Sequence, residues 1–178
     1  MGYLPIILAL LGFIFLWGIV NHHSIKTRKA ELAQAADLVY RYAALRQNII
    51  LQIANIKSED TSLYTLMQRI KSAVRPITRD EASPVDVLAS EERLTKHINE
   101  LPDQLATQKS YRNSVKQLQK ADMEYRIAAN RYQLKVQQYN DLVGKSPSKF
   151  VALLTGFKKV SAEPTPQRSE SIGSSAST

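Results

Sequence analysis

The side chains that could bind a metal or move protons are few, and their spacing suits neither task. Histidine occurs as the adjacent pair His22-His23 and as His97. Neighbouring residues on a helix point about 100° apart, so the pair would not aim both rings at one ion. Helical bundles that hold two metals use Glu-x-x-His pairs, whereas His97 has Leu94 at that offset. Cysteine is absent, which removes thiol nucleophiles, disulfides and cysteine-ligated zinc. Ser-His-Asp, Cys-His and zinc-hydrolase arrangements therefore find no support. No catalytic, metal-binding or cofactor-binding residue is expected, and the chain reads as a non-enzyme.

Glycine narrows the field further. The six glycines are Gly2, Gly12, Gly18, Gly144, Gly156 and Gly173. None falls between positions 19 and 143, so that region holds neither a phosphate-cradling loop nor a glycine hairpin turn. Proline supplies the breaks instead, at 76, 84, 102, 147, 164 and 166. The expected fold is all-α: an N-terminal transmembrane helix followed by an antiparallel helical bundle with long helices. A net charge of +8 and a pI near 9.7 favour anionic partners. The basic residues are interspersed with acids and form no reading motif. Attraction to anionic lipid accounts for them, and nucleic acid is not an expected partner.

The positioning elements begin with Tyr3 to Val20, an uncharged run rich in Leu, Ile and Phe. As a helix it covers about 27 Å, close to the hydrocarbon thickness of a bilayer. Tyr3 and Trp17 near its ends suit the headgroup region. A cleaved signal peptide would need a basic leader and a small-x-small site, and the segment instead leaves through Gly18, Asn21 and His22. Lys26, Arg28 and Lys29 follow the span while no Lys or Arg precedes it. The expected topology is therefore single-pass, with the N-terminus outside and the C-terminal region cytoplasmic.

Three units are expected: an anchor over 1–23, a helical bundle over 24–159 and a disordered polar tail over 160–178. The first soluble helix is predicted from about Ser24 to Ile56. The second follows a cap at Ser58 to Thr61, and the third runs from Pro84 to Leu101 with Ser83 as N-cap. The last is predicted from about Asp103 to Gly144. There Tyr111, Leu118, Tyr125, Tyr132 and Tyr139 recur every seven residues, with Val115, Asp122, Ala129, Val136 and Val143 as companions. Such a repeat predicts a packed seam with left-handed supercoiling. Tyrosines in it read as core side chains with phenol tips at the bundle edge. Asp122 falls in the seam and Arg46 falls in the apolar face of the first helix, so the two are expected to pair and fix register.

Between Pro147 and the tail lies an eight-residue apolar segment, Phe150 to Phe157, too short to span a bilayer. Phe150, Leu153, Leu154 and Phe157 are its candidate docking residues. Folding back onto the bundle, with Phe150 and Phe157 as anchors, is the first expectation. Docking at the membrane surface beside Lys149, Lys158 and Lys159, or binding a partner, are the others.

Tyr132, Val136, Tyr139, Asn140, Val143, Pro147, Ala152, Gly156 and Phe157 fall at spacings that resemble the closing signature of the LemA family. Arg46 to Ile56, "RQNIILQIANI", is similar to a second stretch of that family. Gln133, Ser146, Asn48 and Leu51 depart from its pattern, as in a divergent member. The resemblance implies a bacterial, membrane-anchored antiparallel bundle with no agreed catalytic residues.

The function expected from these readings is a membrane-anchored scaffold or adaptor, working through the lipid bilayer, a membrane or cytoplasmic protein, or self-association. The alternative is a bitopic envelope coiled-coil protein, spanin-like or division-associated, whose helical region lies outside the cytoplasm.

Overall fold

The computed structural model describes residues 3–55, 61–74, 77, 82–99, 109–146 and 148–161. These form five helices and no strand: α1 Leu4–Ala54, α2 Thr61–Ala73, α3 Pro84–Asn99, α4 Lys109–Gly144 and α5 Ser148–Thr155. The all-α expectation holds. The predicted extensions of the first helix to Ile56, of the third to Leu101 and of the last back to Asp103 lie outside the described residues, as does the cap at Ser58.

α1 is one unbroken helix of 51 residues, about 76 Å long. Helix formation does not stop at the expected junction near Ser24, because neither Gly nor Pro occurs between 19 and 54. Pro5 is accommodated in the first turn, where its missing N–H costs nothing. Within α1 an 18-residue window has a mean hydropathy of 2.3, and none of it is buried. By length and composition this segment is able to cross a membrane.

Side-chain pairs fix how the helices run. Arg28 donates to Gln138 at 3.5 Å, Lys135 to Glu31 at 2.7 Å and Arg46 to Asp122 at 3.0 Å. Rising numbers on α1 meet falling numbers on α4, so the two helices are antiparallel. α3 runs parallel to α1, since Tyr40 donates to the carbonyl of Ala82 at 2.8 Å and Arg46 reaches Glu91 further on. Ser83 caps α3 as predicted. Its hydroxyl accepts from the Asp86 N–H at 3.2 Å, and the Asp86 carboxylate accepts in return from the Ser83 N–H and hydroxyl. This reciprocal capping box has Asp in place of the usual Glu.

Two apolar clusters make the core. One joins Ala43 and the preceding part of α1 to Val87, Tyr125, Tyr132, Tyr139 and Ala152. The other joins Ile49, Ile50 and Ile53 to Met67, Ile70, Leu94 and Ala121. Between them lies a polar layer to which α1, α3 and α4 all contribute. Arg46 is 1% exposed and Glu91 fully buried. The guanidinium donates to Glu91 at 2.5 Å, to Asp122 at 3.0 Å and to the Thr95 hydroxyl at 2.6 Å. Gln47 donates to the second Glu91 oxygen at 2.6 Å, and the guanidinium carbon lies 5.6 Å from the Tyr125 ring centroid. The predicted Arg46–Asp122 pair is present, and Glu91 is the partner that the sequence reading missed.

The buried stripe departs from the heptad expectation. On α1 it passes through Leu32, Ala35, Val39, Ala43, Arg46, Ile50 and Ala54. On α4 it passes through Ala121, Tyr125, Ala128, Tyr132, Val136, Tyr139 and Val143. Both series repeat every 11 residues, a spacing that does not drive left-handed supercoiling. The tyrosines stay inside, while Asp122 and Ala129 move toward the flank and Ala121 and Ala128 take their place. Small residues there let α1 approach closely. Tyr111 belongs to α4, but its side chain lies outside what is described.

The polar layer predicts a ranked mutational series. Arg46→Ala leaves Glu91 buried without its cation and should cost about 3–5 kcal/mol. Asp122→Ala should cost only about 1 kcal/mol or less, because that side chain is one-third exposed. Urea denaturation of the detergent-solubilised chain measures both, and equal losses would contradict the ranking. Burial pushes the Glu91 carboxyl above its ordinary value of 4.5, outweighing the hydrogen bonds from Arg46 and Gln47 that pull it down. A raised folded-state pKa contributes stability that is full below the unfolded value and lost as pH rises through the folded one. The stability of the natural chain relative to Glu91→Gln should therefore fall as pH rises from 4.5, and a flat difference would exclude it.

Candidate functional site

The register of α1 against α4 decides what lies where the apolar span ends. Carried beyond Arg28–Gln138, it brings the last residue of α4, Gly144, level with about His22. α4 thus descends to the point at which α1 turns from apolar to polar. A short turn then leads into α5, whose first residue is buried there. Ser148 donates to the Asn21 side chain at 2.9 Å, and Asn21 itself donates to the Trp17 carbonyl at 2.9 Å. The first polar residue after the span is thereby committed on both sides.

The other end of α5 is closed by a glycine. Gly156 has φ of +74°, and the Phe157 N–H bonds back to the Ala152 carbonyl at 2.9 Å. This is a Schellman termination with glycine at the left-handed position. It turns the chain so that Phe157 lies against α1, its ring 5.9 Å from that of His22 and 5.6 Å from the Lys29 ammonium. The following residues run back along α4. The Tyr139 hydroxyl donates to the Lys158 carbonyl at 3.1 Å. Asn140 holds Val160 twice, accepting from its N–H at 2.8 Å and donating to its carbonyl at 2.9 Å. Val160, the first residue of the expected tail, is thus held against α4. Residues 162–178 lie outside those described.

Tyr132, Val136, Tyr139 and Val143 pack in the core beside Ala152, while Asn140, Gly156 and Phe157 make the clamp. Their spacing has a local physical cause: a helix end, a short helix and a return segment held by the Tyr139 hydroxyl and the Asn140 amide.

The docking residues divide. Phe157 is partly buried against the core, as expected of an anchor. Phe150 is 64% exposed, which corrects its assignment as the second anchor; Leu153 and Leu154 are 80% and 87% exposed. At 100° per residue, Ser148 and Ala152 share one face of α5, while Phe150, Leu153 and Leu154 centre on the opposite one. Ser148 and Ala152 are the buried pair because they are small enough to let α5 lie close to α1.

Of the predicted interface residues, Tyr3 is exposed and Trp17 is 40% exposed. Lys26 is exposed, Arg28 pairs with Glu31 at 2.9 Å and Lys29 lies over Phe157. Hydrogen bonding by Lys135, then by Arg28, holds the Glu31 carboxyl below its ordinary value. In the seam, Leu118 packs against the second cluster, and burial raises the phenol pKa of Tyr125, Tyr132 and Tyr139. Tyr139 thereby keeps the proton that it donates to the Lys158 carbonyl. An open cleft of about 420 Å³ beside Phe157 is lined by Lys29, Leu32, Tyr132, Tyr139 and Lys158 among others. His97 lies on α3 beyond Glu91, toward the opposite end of the bundle from His22 and His23. Among the described residues no group of three or more His, Asp or Glu is placed to hold a metal. The foot offers apolar surface, cationic charge and backbone clamps.

The clamp makes a prediction that needs no ligand. A Cβ at Gly156 would meet nothing within 4 Å, so Gly156→Ala should lose about 1–2 kcal/mol through backbone strain alone, and Gly156→Asn should lose less. Gly144→Ala should be nearly neutral, because its Cβ would meet only the flexible end of Lys159. Thermal unfolding of the three variants in detergent checks the order, and a Gly144→Ala loss as large as that of Gly156→Ala would contradict it.

Comparison with protein-family models, curated proteins and solved structures finds no match to this chain in any of the three.

Proposed function

We propose that this chain is a divergent LemA-like, single-pass bacterial membrane protein whose cytoplasmic bundle serves as a non-enzymatic scaffold or adaptor. The observation that carries the reading is the continuity of α1. Its first third is apolar and uncovered, and its last half is built into the core. No Gly or Pro interrupts the passage from one to the other. A bundle joined to an anchor in this way presents its sides to a partner at a fixed height above the bilayer, which is what an adaptor requires and what a flexible tether would not give. Lys26, Arg28 and Lys29 immediately after the span favour the cytoplasm for the bundle. The scarcity of histidine, the lack of cysteine and the absence of glycine loops favour binding over catalysis.

Two measurements in cells test this. A cytoplasm-dependent reporter fused after Thr178 should be active, and one that works only outside the cytoplasm should be silent. The opposite pattern would replace the cytoplasmic adaptor with an envelope bridge. Crosslinking through single cysteines on the exposed face of α4, at Met123 or Ile127, should trap a reproducible protein partner or a second copy of the chain. Capture of neither in intact cells would remove the adaptor role.

A further inference from the structure

We propose that α5 is an interfacial helix. In this reading it lies in the headgroup layer of the leaflet from which α1 emerges, with Phe150, Leu153 and Leu154 turned into an anionic membrane surface. The inference rests on the reading of α1 as a membrane anchor and adds a second, separate point of attachment.

Four observations converge on it. The first is place: both ends of α5 are held against residues 21–29 of α1, by Ser148 on Asn21 and by Phe157 on His22 and Lys29. The second is aspect: the small side chains Ser148 and Ala152 face the bundle, so the large apolar ones face away from it. In water this is the wrong way round for an amphipathic helix, since the best hydrophobes are the most exposed. The third is level, because α5 is held at Asn21 and His22, immediately after the uncovered apolar run that ends at Val20. The fourth is charge. Lys145, Lys149, Lys158 and Lys159 are exposed around α5. Lys26, Arg28 and Lys29 stand beside them on α1, and no Asp or Glu occurs in 21–30 or in 142–161. Two of these cations are paired, Arg28 with Glu31 and Lys145 with Asp141, and the excess that remains beside an apolar strip matches the boundary between acyl chains and anionic headgroups. A second protein copy would bring the same lysines face to face, which disfavours self-association through this strip.

The absence of native cysteine makes the test clean. Single cysteines at Leu153, Leu154, Met123 and Leu10 would be spin-labelled in the full chain, reconstituted in vesicles of phosphatidylcholine with phosphatidylserine. Collisions with oxygen and with a water-soluble nickel chelate then report depth. The Leu153 and Leu154 labels should be several-fold less accessible to nickel than the Met123 label, roughly 5–10 Å into the boundary region, with Leu10 deeper still. Labels at Leu153 and Leu154 as open to nickel as Met123, with Leu10 shielded, would overturn the inference and leave the anchor intact. Nickel access at Leu10 would instead sink the anchor. Lys149→Gln combined with Lys158→Gln should make the Leu153 label shallower in these vesicles, and so should omitting phosphatidylserine. Unchanged depth in both cases would overturn the anionic surface as the partner. Spin–spin broadening at Leu153 that disappears on dilution with unlabelled chain would assign the strip to a second copy and overturn the proposal.

Discussion

One guanidinium inside the bundle ties three helices together. Arg46 is almost wholly excluded from water and divides its donors among Glu91, Asp122 and Thr95. Burying such a charge is costly unless every partner is in place. Sliding α4 by one turn would part Arg46 from Asp122, and sliding α3 would strand both Arg46 and Glu91. The two apolar clusters on either side have no such preference, because Ile, Val and Ala tolerate a shifted neighbour of similar shape. The layer therefore contributes uniqueness more than stability. From that single register follows the level of Gly144, and from Gly144 the placing of α5 and its clamp at the end of the span.

The packing period serves the same end. An 11-residue repeat lies on the opposite side of 3.6 residues per turn from the heptad, so α1 and α4 can stay in contact over many turns without a left-handed supercoil. Without a Gly or Pro break, α1 carries its apolar segment directly into the bundle. Any tilt imposed on the span is then felt at the foot, where the return segment 157–160 is tied to α4 by Tyr139 and Asn140 rather than by bulk packing alone. Directional hydrogen bonds hold a position that apolar contacts would let slide.

Much of this was legible in the residues. The apolar opening run, the glycine and proline spacing, the Ser83 cap and the Arg46–Asp122 pair follow from local chemistry that leaves its mark on sequence. Glu91 left a mark too, since it lies three residues from both Leu88 and Leu94, on the apolar stripe of its helix. A carboxylate on the stripe of one helix and an arginine on that of another are complementary, but composition alone does not say which acid an arginine will choose. The heptad placed Tyr125, Tyr132 and Tyr139 in the core, where they lie, and missed Ala121 and Ala128 because it counts one residue type, whereas burial also counts the alanines beside it. The facing of α5 was not legible, because an eight-residue segment with apolar residues all round offers two candidate faces. Ser148 bonding to Asn21 and the left-handed turn at Gly156 decide between them. Asn140 reads the backbone of Val160, and recognition of a backbone imposes no pattern on the residue recognised.

The charge at the foot poses a problem that the fold alone does not solve. Lysines and arginines from α1, from the end of α4 and from both ends of α5 meet there, while Glu31 and Asp141 are the nearest acids along the chain, and Glu31 is already shared by Arg28 and Lys135. Mutual repulsion of like charges opposes the compact state, and three large apolar side chains exposed beside them oppose it in water again. Neither feature improves packing, since Ser148 and Ala152 already bring α5 against α1. Both costs fall together only if one surface supplies negative charge and a hydrocarbon boundary at the same height. An anionic bilayer entered by α1 supplies both within a few ångströms of Asn21. In the proposed arrangement, a segment that is mildly unfavourable in water and favourable at a membrane would orient the bundle that it closes.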